Sequence, residues 1–120
     1  MHAILIDPET QFITSLSIDT DDYERIRQVI GCESLSVAAN LPTQDAVFVD
    51  RAALVNGTPR HFFRFAGCPH PIAGRAVVVG CDHVGDSVDA HTSAQALREL
   101  VTYEHTPDAA NEARDAWTLA

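Results

Sequence analysis

Two Cys-x-His pairs, Cys68-Pro69-His70 and Cys81-Asp82-His83, are the residues best suited by type to do chemistry. Two thiolates and two imidazoles are ligands that tetrahedral zinc accepts. Their spacing argues against a shared ion. The pairs flank Arg75 to Gly80, which reads as a central strand spanning roughly 20 Å when extended. One metal would need a chain reversal between them, and Pro71 to Gly74 supplies only part of one. Structural zinc sites also space cysteines two to four residues apart rather than pairing Cys-x-His. Buried thiols and loop histidines are the expected state, with no metal site assigned.

Gly85-Asp86-Ser87-Val88, with Asp89 and His91 nearby, is similar to a serine-esterase signature. Five residues separate Val79 from Gly85, and His91 lies only four residues from Ser87 on the same loop. Triads gather from distant segments, so a polar loop is expected here and no catalytic residue is assigned. Cys32 follows Gly31 at a helix C-terminus, where the dipole raises a thiol pKa, so it reads as core or strand start. Arg60, His61, Arg64 and Arg75 form the candidate ligand-binding set, since arginines can clamp a carboxylate or phosphate bidentately. They could equally pair with Asp50 or Asp82 and brace the sheet. No P-loop, dinucleotide-binding or HExxH motif occurs, and no cofactor is expected.

These residues sit on 120 positions, one domain's worth. A chain of this size buries roughly 65% of its unfolded surface, enough for one core without staples. The formal net charge is −9, with the acidic residues spread over both halves. Nucleic acid is therefore a poor partner, and so is an acidic membrane surface. An acidic surface can instead face a basic protein patch or serve solubility. All eight cations are arginine, which excludes Schiff-base chemistry. Three cysteines, a polar start after Ile6 and no membrane-length apolar run predict a cytoplasmic protein with reduced thiols.

Ala3 to Ile6 and the alternating Phe12 to Ile18 predict an N-terminal hairpin. Asp21-x-x-Glu24 starts a helix like a capping box, with Tyr23, Ile26 and Ile30 on one face and Gly31 as its stop. Leu35 to Leu41 and Ala46 to Val49 are strands around a Pro42 to Asp45 turn. Arg51 to Val55 reads as a short helical turn, His61 to Phe65 as an aromatic strand and Arg75 to Gly80 as a buried one. Gly80 to Asp89 reads as a polar loop. Thr92-x-x-Gln95 caps a second helix with Leu97, Leu100 and Val101 inward, and Thr106-Pro107 opens a third. The expected fold is α+β: a single small domain, mainly an antiparallel sheet of about five to six strands packed by two to three helices. Residues 1–105 form the core and 106–120 a C-terminal helix at its periphery.

Ile30-Gly31-Cys32, Phe48-Val49-Asp50, Leu54-Val55-Asn56-Gly57-Thr58-Pro59-Arg60 and Ile72 to Gly80 carry a resemblance over roughly Ala3 to Leu100. In this order they resemble a family of small bacterial, plasmid and phage proteins catalogued only as a domain of unknown function. The resemblance implies a compact α+β domain of mobile-element neighbourhoods and implies no enzyme activity. The expectation is a non-catalytic accessory protein that binds a host protein through an acidic surface. A small anionic, nucleotide-like ligand is the alternative, and a zinc protein or small enzyme the third reading. Self-pairing into a homodimer is allowed, because a small sheet leaves an edge strand open.

Overall fold

Alternation and turn chemistry build the first unit. In the computed structural model, which describes residues 1–19, 22–52, 61–66, 71–82 and 87–104, β1 (His2–Asp7) and β2 (Phe12–Ser17) pair as the expected hairpin. Six register pairs run without a break from His2–Ser17 to Asp7–Phe12. Asp7 closes the turn by accepting the Glu9 N–H, and Gln11 takes the left-handed conformation there.

The helix α1 (Tyr23–Ile30) follows. Its N-cap is Asp22, one residue later than the capping pattern places it; the Asp22 carboxylate accepts the Arg25 N–H. Glu24 pairs with Arg27 instead of reaching back to the cap. Gly31 ends the helix at φ 82°, and both Gly31 and Cys32 donate to the Arg27 carbonyl. Strands β3 (Leu35–Asn40) and β4 (Asp45–Asp50) follow, with a bulge between Val37 and Ala39.

The aromatic segment forms β5 (Phe62–Phe65). The short β6 (Ile72–Ala73) pairs with it, and β7 (Ala76–Cys81) is the buried strand. Three short strands escape the period-two pattern. Ile72–Ala73 is too brief to alternate. β8 (Ser87–Val88) lies inside the expected Gly80 to Asp89 loop. β9 (Val101–Glu104) begins where the second helix was expected to continue. That helix, α2 (Ala94–Leu100), is capped by Ser93 rather than Thr92. Thr92 is buried and bonded elsewhere, and Val101 has already turned to extended backbone at φ −97°, ψ 132°. The helical turn expected at Arg51 to Val55 lies partly, and the helix from Thr106 wholly, outside the described residues.

Every pairing is antiparallel among the described residues. The larger sheet has the order β2-β1-β7-β4-β3, with β8 also on β7; the smaller is β6-β5-β9. Period-two alternation sorts the large sheet into two faces. Ala3, Val77 and Val79 turn to α1 with Ile26 and Ile30. Ile4, Ile6, Val47, Val49, Ala76 and Val78 turn the other way, onto Phe63 and Phe65 of the small sheet and Leu97 of α2. Phe63 and Phe65 meet edge to face at 5.3 Å, a favoured aromatic geometry. The α+β class and the two helices of the described core are as the sequence predicts, but the strands divide between two stacked sheets. No helix among the described residues is long and apolar enough to cross a membrane.

Candidate functional site

The layers decide which candidate side chains can meet. In β5, Phe63 and Phe65 face the large sheet, so Arg64 points to the far side of the small one. There its Nε lies 3.1 Å and its Nη2 3.5 Å from the two Glu104 carboxylate oxygens. The register sets this pair: Glu104 stands opposite Phe62 and Thr102 opposite Arg64. Arg75 precedes β7 and shares the α1 face with Val77. Its Nε is 3.4 Å from Asp7 Oδ2, and its Nη1 reaches the Val29 carbonyl. His61 is half-buried, and its carbonyl accepts the Gly74 N–H, which places it next to Arg75 along the chain fold. Arg60 lies outside the described residues. Thus the structure brings His61 near Arg75 but separates Arg64 from Arg75 by both sheets. The carboxylates beside Arg75 and Arg64 are Asp7 and Glu104.

Of the two Cys-x-His pairs, Cys68, His70 and His83 lie outside the described residues. Cys81 and Cys32 are half-buried free thiols. Among the described residues no group of three His, Cys, Asp or Glu side chains could hold a metal ion. Burial pushes the Cys32 thiol pKa up, the nearby Asp50 carboxylate adds to this, and Arg27 offsets part of it. This matches the placement after a helix C-terminus, where no positive dipole end supports a thiolate.

Ser87 and His91 fall on opposite faces of the large sheet. Ser87 pairs with Cys81 on the α1 face, and its hydroxyl lies 3.0 Å from the Tyr23 hydroxyl. Tyr23 in turn packs edge-on against Phe48 at 6.0 Å. His91 lies on the other face, where its Nδ1 is 3.0 Å from Oδ1 of Asp45. Asp45 is fully buried and also accepts the His91 and Thr92 backbone N–H groups, each at 2.8 Å. The Thr43 and Thr92 hydroxyls bridge at 2.8 Å beside it. A carboxylate at Nδ1 favours the ring orientation in which that nitrogen donates to Asp45. Asp45 and His91 were not paired on the sequence, because 46 residues separate them and Asp45 reads as the end of a turn. The signal was an aspartate entering an apolar strand, where only a buried carboxylate with donors is tolerated. Close approach is built in: a Cβ on Gly80 would collide with the Asp89 carbonyl and stand 3.1 Å from His91 Cε1.

Strand direction gives the molecule two chemically different poles. His2, the end of β2, the start of α1, Asp45 and Cys81 lie together at one end of the large sheet. Asp19, Asp22, Asp82 and Asp89 are carried there, with Asp45 beneath and His2 and His91 beside them; Arg25, in the first turn of α1, stands at this end too, its backbone N–H donating to Asp22. Arg51, Arg75 and the Arg98–Ile13 contact lie at the opposite end, among Asp7, Glu9, Glu33 and Asp50. Every buried side-chain nitrogen and oxygen among the described residues has a hydrogen-bond partner. Among the described residues, the acidic side chains outnumber the arginines most at the end that carries Asp19, Asp22, Asp82 and Asp89.

The sequence model of a domain of unknown function, DUF3846, matches residues 1–102. No curated protein and no solved structure matches the chain. The match runs from β1 into the start of β9, and so the chain belongs to the DUF3846 family.

Proposed function

We propose that this protein acts by binding, as a non-catalytic accessory protein of a phage or mobile element that engages a host protein through its acidic surface in the cytoplasm. The observation that supports this reading is the gathering of Asp19, Asp22, Asp82 and Asp89 at one pole, where Arg25 in the first turn of α1 is the one described arginine, while Arg51, Arg75 and Arg98 lie at the other. A predominantly acidic pole raises the encounter rate with a basic patch and sets orientation on approach. The small-anion alternative would require Arg64 and Arg75 to leave Glu104 and Asp7 and to act from different layers. The test is affinity capture from host lysate with the tagged full chain, at low and at high salt. A discrete host protein held at low salt, released at high salt and lost with Asp82→Arg/Asp89→Arg is expected. Capture that ignores both salt and these charge reversals sinks the reading.

A further inference from the structure

The outer strand β2 carries almost none of the devices that keep sheet edges from pairing. Phe12-Ile13-Thr14-Ser15-Leu16-Ser17 holds no charge and no proline, and its six-pair register with β1 has no bulge. Edge strands are normally blunted by such features. The opposite edge, β3, has one: its bulge between Val37 and Ala39. On β2 the backbone groups of alternate residues face opposite ways. The Ile18 N–H donates to the Met1 carbonyl, so even-numbered residues face β1. Ile13, Ser15 and Ser17 then face outward. Arg98 of α2 occupies the Ile13 carbonyl at 2.8 Å. The outward groups of Ser15 and Ser17 make no backbone hydrogen bond within the described residues.

We propose that β2 pairs antiparallel with β2 of a second copy of this chain, Ser15 opposite Ser17 and Leu16 opposite itself. This register joins outward-facing residues to outward-facing residues, as a hydrogen-bonded antiparallel pair requires. It is also isologous, so one contact closes the dimer. One charge pair, Arg98 with Asp19 of the second copy, selects a second copy over a foreign strand. Antiparallel pairing sets the acidic pole of each copy beside the arginine-bearing pole of the other. In this register Asp19 of the second copy stands opposite Ile13, where Arg98 is already anchored. Arg98 thus guards one end of the edge against strands lacking a carboxylate at that position and receives this chain's own. The half-buried Leu16 meets its counterpart at the two-fold axis.

The test is native mass spectrometry and light scattering of the full chain over a wide concentration range, with amide exchange at Ser15 and Ser17. The expected species is twice the 13.0 kDa chain mass, with both amides protected only where the dimer is populated. Ser15→Pro removes an outward N–H without touching the β1 ladder. It should weaken the dimer at least about tenfold while the monomer melts as before. Asp19→Arg should weaken it likewise, and Asp19→Arg/Arg98→Asp should recover part of the loss. A monomer at all concentrations overturns the proposal. So does a dimer indifferent to Ser15→Pro, and so does protection of both amides in the dilute monomer, which would mean the chain covers its own edge.

Discussion

Asp45 shows how much one buried carboxylate can hold. It clasps the loop before α2 to the start of β4 through two backbone N–H groups and the His91 imidazole. Asp45→Ala would leave those donors unpaired in a dry site, at a cost of about 3 kcal/mol. For a domain this size that is a fall of about 10 °C in the melting midpoint. Asp45→Asn keeps one acceptor oxygen and should lose about half as much; equal losses in calorimetry would show that the oxygens are not the clasp. Gly80 is held for a different reason. Its conformation is ordinary, but a methyl there meets the Asp89 carbonyl, so Gly80→Ala should cost about 2 kcal/mol by overpacking. Cys32 supplies part of the alkaline pH dependence. Burial and Asp50 raise its pKa above the ordinary 9.0, so the folded state favours the neutral thiol. That contribution is complete below the unfolded value and is lost as pH rises through the folded one. Melting midpoints should therefore drop above pH 9 in the wild type and drop less in Cys32→Ser.

The element scale explains what could be foreseen and what could not. The hairpin, α1, β3, β4, β5 and β7 each carry a local pattern long enough to recognise: Phe12 to Ser17 alternates, and Ile26 and Ile30 fall one turn apart before Gly31. Gly31→Ala tests the most local of these. At φ 82° with nothing within 4 Å of a new Cβ, only backbone strain opposes the change, and unfolding by denaturant should register about 1 kcal/mol. The short strands β6, β8 and β9 are defined instead by partners far along the chain. Val101 to Glu104 becomes a strand because Phe62 to Phe65 stands ready to pair with it, against a continuing helical pattern. The candidate site follows the same logic. The types of Arg64 and Arg75 suggested a shared ligand, but their places were decided by the stacking of two sheets, which no local spacing encodes. The Asp45–His91 pair depends on β4 and the α2 entry meeting across that stack.

At the scale of the whole molecule the informative quantity is where the charge of −9 sits. Antiparallel order carries every second connection to the same end, so aspartates distant in sequence become neighbours. Net charge alone would slow or speed association with a cationic partner equally from either pole; a polarised surface would not. Two triple variants separate these cases. Asp22→Asn/Asp82→Asn/Asp89→Asn and Glu9→Gln/Glu33→Gln/Glu99→Gln each remove three negative charges, the first at the acidic pole and the second away from it. Asparagine also retains the helix cap at position 22. Association with a short arginine-rich peptide, followed by stopped flow, should slow with rising salt in the wild type as the Debye length shrinks from about 10 Å to about 3 Å. The acidic-pole variant should lose most of that salt dependence and about tenfold in association rate at low salt, whereas the distal variant should stay near wild type. Equal losses in the two would reduce the charge to a property of the composition. Unequal losses would make it a property of the fold, because only the strand order distinguishes the two sets of carboxylates.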